Sequence, residues 1–149
     1  MVESACFLGE YSMIMKRTQE REQAFCLIFQ SMFNSDIEEE LAVYEENVGK
    51  IGEYAKSLFD GVSQKTDDLD EIINRYSKGW KSKRLPKVNL AILRLAIYEI
   101  LFVENVPESV AINEAVELAK KYSGETDYSY INGLLGTFVK NLEKQEDAQ

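Results

Sequence analysis

The residues able to touch a phosphate are bunched in this chain rather than spread along it. Between Arg75 and Arg94 the cations Arg75, Lys78, Lys81, Lys83, Arg84, Lys87 and Arg94 surround Trp80, with no Asp or Glu among them. A second group, Lys16, Arg17 and Arg21, leads into an apolar segment, and Lys120 and Lys121 form a third. Guanidinium and ammonium groups so placed contact phosphates and base edges, and a short basic segment entering a helix can bind RNA by ordering on it. The competing reading, for any one of these side chains, is that it balances acids on neighbouring helices. Glu20 and Glu22 dilute the second group, and the formal net charge of -9 repels phosphate overall. Any nucleic-acid contact must therefore be local and specific. Tyr128 and Tyr130, which follow the loop of residues 123–127, are candidate stacking platforms for unpaired bases, with core packing as the alternative.

Other chemistry has little to work with. There is no histidine and there are two cysteines, Cys6 and Cys26, so His-based triads, zincin motifs and Cys/His fingers are excluded. Cys26 sits in an apolar helical pattern, where a buried free thiol is expected rather than a disulfide. Gly49 and Gly52 lack the strand and lysine of a phosphate-binding loop, and no nucleophile elbow occurs. We expect no enzyme, no cofactor and no metal. No apolar run approaches the roughly 20 residues of a membrane span, and the first residues carry acids rather than a basic leader, so the expected setting is soluble and cytoplasmic.

The elements that must hold these residues read as helices. The chain has 149 residues with only two prolines and eight glycines, which suits an all-α fold with one core. Ala24, Leu27 and Ile28, widened by Phe25, Phe29 and Met32, define a first helix. Asn34, Ser35 and Asp36 form a turn and cap for a second, acidic helix carrying Ile37, Leu41 and Tyr44, with Glu38, Glu39 and Glu40 as its solvated face. Ile51, Tyr54, Ala55, Leu58, Phe59 and Val62 predict a third helix that Gly61 helps to end. Asp67 or Asp68 then caps a fourth, with Leu69, Ile72, Ile73 and Tyr76 inward. Residues 78–86 read as a linker, and Pro86 opens a fifth helix that is apolar nearly all round and so should be buried. After Pro107, Ser109 is a candidate cap for a sixth helix; Thr126 or Asp127 starts a seventh. The expectation is about seven helices in two packed lobes. Residues 1–14 would be a flexible extension ahead of a second start at Met15, residues 15–142 the single domain, and residues 143–149 a frayed charged tail.

The run Trp80, Arg84-Leu85-Pro86-Lys87-Val88, Ala91-Ile92-Leu93-Arg94-Leu95-Ala96-Ile97-Tyr98-Glu99, Val106-Pro107, Val110-Ala111-Ile112-Asn113-Glu114-Ala115-Val116-Glu117-Leu118-Ala119-Lys120 and Tyr130-Ile131-Asn132-Gly133 resembles the NusB signature in order and spacing. Arg21-Glu22-x-Ala24 followed by Leu27-Ile28-Phe29 is similar to the family's first helix. The resemblance implies two three- to four-helix lobes without an active site. It also implies binding to boxA, a single-stranded element of ribosomal-RNA leader transcripts, together with the ribosomal protein NusE. The pair joins other Nus factors on RNA polymerase to read through terminators. Carried onto this chain, RNA contacts fall on Lys16, Arg17, Arg21, Phe29, Lys120, Lys121, Thr126, Tyr130 and Asn132, and the partner surface on Lys87, Asn89 and Arg94.

Structural roles compete at several of these positions. Glu99, Asn113 and Glu114 are of the type that ties helix ends together, and Asn132-Gly133 suits a tight interhelical contact as well as RNA. The arm is less arginine-rich than in many members, and Gly136 stands where an acid is common. Two further functions are compatible with the sequence: the RNA-binding module of a ribosomal-RNA methyltransferase, and a protein–protein adaptor without RNA binding. Some members self-associate, so a homodimer is a further arrangement the resemblance allows.

Overall fold

The computed structural model describes residues 2–33, 36–77 and 84–148, with side chains between residues 17 and 146. Lys78, Trp80, Lys81 and Lys83, and the turn residues Asn34 and Ser35, lie outside the described residues. The described chain is all helical: α1 (Val2–Ser31), α2 (Ile37–Asn47), α3 (Glu53–Tyr76), α4 (Lys87–Phe102), α5 (Glu108–Tyr122) and α6 (Glu125–Ala148). Helices α1 to α3 make one lobe and α4 to α6 the other, and α4 packs against α1, α3, α5 and α6. The expected burial of this helix follows: from Asn89 to Ile97 every residue except Arg94 is buried. Leu27, Leu58, Ile73, Ile92, Ile97 and Leu135 join the two lobes in one core. No described helix is long and apolar enough to cross a membrane.

Six helices replace about seven because residues 53–76 do not break. The expected stop at Gly61 and new cap at Asp67 or Asp68 are absent, and α3 runs through both. Ala55, Leu58, Phe59, Val62, Leu69 and Ile73 keep one helical register and are all buried, which outweighs a glycine cost of about 1 kcal/mol. Gly61 serves packing instead. A Cβ there would lie 2.0 Å from Tyr98 Oη and 2.1 Å from its Cζ, so only glycine admits Tyr98 of α4 against the α3 backbone.

The helix starts show which sequence signals won. Asp36 caps α2, accepting from Glu39 N at 3.1 Å. The α5 cap is Pro107, not Ser109: the N–H groups of Val110 and Ala111 both donate to Pro107 O, so the first turn closes before Ser109 could cap it. Helix α6 opens at Glu125, with Asp127 reaching back to accept from Gly124 N at 3.0 Å; Tyr128 and Tyr130 therefore stand in its first turns rather than beyond a loop.

Helix α2 departs from expectation at one residue. Glu38 and Glu39 are exposed, but Glu40 shares the inward stripe with Tyr44 and is 5% exposed. Among the described residues neither carboxylate oxygen of Glu40 finds a hydrogen-bond partner. Burial pushes this carboxyl up to about 7.

Candidate nucleic-acid interface

Helix α1 presents its basic residues in different ways. The Lys16 side chain lies outside the described residues. Arg17 is exposed, with its guanidinium carbon 3.8 Å from the centre of the Tyr54 ring. Arg21, one turn on, is turned inward and buried. Its Nε donates to both oxygens of Glu99 at 2.9 Å, and Nη1 lies 3.7 Å from Glu114 Oε1. Tyr54 Oη donates to Glu99 Oε2 at 2.6 Å. Burial works to lower the pKa of Arg21, yet Glu99, aided by Tyr54 and Glu114, holds it above the ordinary value. Burial and the bond to Glu99 raise Tyr54 well beyond an ordinary phenol. These groups come from α1, α3, α4 and α5, so the cluster is a tie between the lobes. Glu99 and Glu114 thus take helix-tying roles; Glu114 also accepts from Thr18 Oγ1 at 3.0 Å.

Further along α1, a row of rings reaches the other lobe. Phe29 is half-buried between Phe25, with centroids 6.2 Å apart, and Phe33, at 5.2 Å edge to face. Phe25 meets Tyr122 of α5 at 4.9 Å. Lys87, exposed at the start of α4, has its Nζ 4.6 Å from the Phe33 ring centre. Glu22 accepts from Lys121 Nζ at 2.6 Å and from the Tyr122 hydroxyl. Burial would raise the Glu22 carboxyl, but these bonds and the Lys121 charge hold it below its usual range. Burial and Glu22 together push Tyr122 up. Cys26, half-buried beside this group, is a free thiol that burial and Glu22 push up.

The start of α6 closes the same end of the molecule. Lys120 Nζ lies 3.4 Å from Glu117 Oε1 and 5.5 Å from the Tyr128 ring centre. Thr126 and Asn132 are exposed. Tyr130 is half-buried, its hydroxyl hydrogen-bonded to Ser77 at the end of α3. At Gly133 an added Cβ would meet nothing within 4 Å; Asn132-Gly133 therefore makes no tight interhelical contact, and the pair lies on an open helix face.

Two of the residues assigned to the partner surface are engaged internally. Asn89 is 2% exposed; its Nδ2 donates to Asp127 Oδ1 at 3.1 Å, and Ser123 Oγ lies 2.9 Å from Asn89 Oδ1 and 2.8 Å from Asp127 Oδ2. Hydrogen bonds from Ser123, Asn89 and Gly124 hold the Asp127 carboxyl below its usual range. Arg94 forms a two-pronged pair with Asp70, Nε to Oδ1 and Nη2 to Oδ2 both at 2.7 Å, joining α4 to α3. Of the same basic interval, Arg75 pairs with Glu71 at 3.5 Å and Arg84 is exposed.

The fold thus gathers Glu22, Phe29, Phe33, Lys87, Lys121 and Tyr122 into one face, with Lys120 and Tyr128 flanking it. Tyr54 and Tyr122 were not among the candidate contacts, because both fall at the spacing of their helices' apolar residues. The available signal for Tyr122 was its place directly after Lys120-Lys121 at a helix end, where an amphipathic ring reaches water. Among the described residues no group of three or more acids or cysteines could hold a metal ion.

These features define a two-lobed helical binding module whose lobes meet through a buried ion-pair cluster and whose exposed rings and cations share one end. The chain belongs to the NusB family, whose model matches residues 18–140. It is 47% identical over 131 residues to the transcription antitermination protein NusB of Acetivibrio thermocellus, covering 85% of this chain and 90% of that protein. The corresponding protein of Ruminiclostridium cellulolyticum is 44% identical, with 89% and 94% covered. Among solved structures, T. maritima NusB is similar with a TM-score of 0.75 at 34% identity, covering 83% of this chain and 90% of that one. NusB in a complex of the antitermination factors NusB and NusE with double-stranded RNA is similar with a TM-score of 0.74 at 28% identity, covering 84% and 96%.

Proposed function

We propose that this chain is a non-enzymatic transcription antitermination factor of the cytoplasm. It binds boxA-type single-stranded RNA of ribosomal-RNA transcripts together with the ribosomal protein NusE and joins RNA polymerase with other Nus factors. The observation that carries this reading is the likeness, over 84% of this chain and 96% of that one, to the NusB of a complex of NusB and NusE with double-stranded RNA, which supports the RNA and NusE partners. Coverage of 90% of an antitermination protein favours it over a methyltransferase module. A strand read in single-stranded form suits an acidic protein whose cations and rings are local.

On this reading Lys16, Arg17, Lys120, Lys121, Thr126, Tyr130 and Asn132 face RNA, with Phe29 in the ring row that leads toward the partner side at Lys87. Arg21, Asn89 and Arg94 act through their internal ties, which hold α1, α6 and α4 in place. The test is fluorescence anisotropy of labelled boxA-type RNA and a scrambled control, with and without a NusE-type partner. Preferential binding to boxA, strengthened by the partner, is the expected result; equal binding to both RNAs in both conditions would overturn the reading.

A further inference from the structure

Charge neutralisation separates the cations of this surface into two kinds. Arg21 is paired with Glu99 and Glu114, Lys120 with Glu117, and Lys121 with Glu22. Arg17, Lys50 and Lys87 are among the described cations outside any ion pair, and the first two line a cleft of about 660 Å³ between α1 and the turn that enters α3. Its remaining walls are Glu20, Ile51, Gly52, Glu53 and Tyr54.

The cleft is built around one platform. Tyr54 is fixed at its hydroxyl by Glu99 and at its backbone N–H by Glu20 Oε1 at 3.1 Å. Gly52 makes the second bond possible, since a Cβ there would lie 1.8 Å from that same Glu20 oxygen. Gln23 Oε1 accepts from Gly52 N at 3.1 Å. The N–H groups of Gly52 and Tyr54 at the entry to α3 are therefore already engaged, and the cleft does not work as a helix-dipole anion site. What it presents is the guanidinium of an exposed arginine laid over a fixed ring at 3.8 Å.

We propose that this cleft is a nucleotide subsite, in which a base stacks on the outer face of Arg17 and Lys50 meets the flanking phosphate. The inference rests on the RNA-binding reading above. Arginine planes and aromatic rings are the surfaces on which unpaired bases stack, and Tyr54 is the positioning residue that holds the plane. Glu20 and Glu53 share the walls, so charge alone does not select the occupant; the flat guanidinium face does, since a base can cover it whereas an acidic side chain meets it only at its edge.

The test combines affinity with photo-cross-linking, using boxA-type and scrambled RNAs carrying 4-thiouridine and the full chain with a NusE-type partner. Adducts on the peptides holding Arg17 or residues 50–54 are expected. Arg17→Ala should weaken binding about tenfold, Arg17→Lys should recover little because it keeps charge but not the plane, and Lys50→Ala should flatten the salt dependence. Tyr54→Phe keeps the ring and should bind RNA nearly as wild type while losing stability; Tyr54→Leu should lose affinity. Arg17 and Lys50 are exposed, so their variants keep the fold. Wild-type selection of boxA with unchanged affinity in Arg17→Ala and Lys50→Ala, and adducts elsewhere, would overturn the subsite and leave the functional reading standing. Absence of boxA preference would overturn that reading, while adducts in the cleft with either RNA would still support the subsite. Displacement of cleft adducts by a glutamate-rich peptide would overturn the subsite in favour of a protein ligand.

Discussion

Arg21 and Glu99, 78 residues apart in the chain, meet as a buried pair in which one Nε donates to both carboxylate oxygens at 2.9 Å. The two side chains are 7% and 2% exposed, so each charge has given up its water for the other. Removing one partner strands the remaining charge. Arg21→Ala or Glu99→Ala should each lower stability by about 3–5 kcal/mol, read from urea denaturation midpoints. If both variants stayed within 1 kcal/mol of wild type, the pair would not be the tie between lobes described above.

Glu40 gives the chain a predictable response to pH. Its carboxyl, raised to about 7 by burial, is neutral in the fold at low pH and ionised in the unfolded chain above about 4.5. The stabilisation is fully present below about pH 4.5 and is lost as pH rises through about 7. The total is at most about 3 kcal/mol. Glu40→Gln, which carries no charge at any pH, should match wild type near pH 4.5 and exceed it at pH 8. Denaturation curves for both proteins at the two pH values measure the difference, and a gap independent of pH would refute it.

Two glycines in helix interiors should respond oppositely to alanine. Gly61→Ala drives a Cβ into the Tyr98 ring, an overpacking cost of about 1–3 kcal/mol. Gly133→Ala meets open space in α6 and should stabilise by about 0.5–1 kcal/mol through helix propensity. Thermal unfolding of the two variants should shift the midpoint in opposite directions.

Asp127 caps α6 and receives bonds from Ser123, Gly124 N and Asn89 of α4. Asp127→Ala should cost about 1–2 kcal/mol. Because its folded pKa is lowered, the contribution is present above the unfolded value and is lost as pH falls through the folded one. The deficit of the variant should therefore shrink in acid, as followed by helical circular dichroism.

Glu22 holds Lys121 and Tyr122 in internal bonds. On the proposed RNA surface, Glu22→Gln should free the ammonium, tighten RNA binding and steepen its salt dependence by about one counterion. Anisotropy titrations across a salt series report both; an unchanged slope would place Lys121 off the RNA path.

Helical class, the buried character of α4 and the position of the basic groups were legible in the sequence, because period and composition act locally. The Pro86 and Asp36 starts were legible for the same reason. The joining of two expected helices into α3 was not, since Gly61 looks like a stop until Tyr98, 37 positions away, is seen to occupy the space its missing Cβ leaves. Glu40 reads as one of three exposed acids, and only the packing of α2 turns it inward. The division of the cations is the sharpest case. Arg17 and Arg21 are alike in sequence and one helical turn apart, yet Glu99 and Glu114 from the other lobe draw one into the interior while Tyr54 holds the other at the surface. Residue type determined that these positions carry charge; long-range partners, which no local pattern encodes, decided which charges are left to bind.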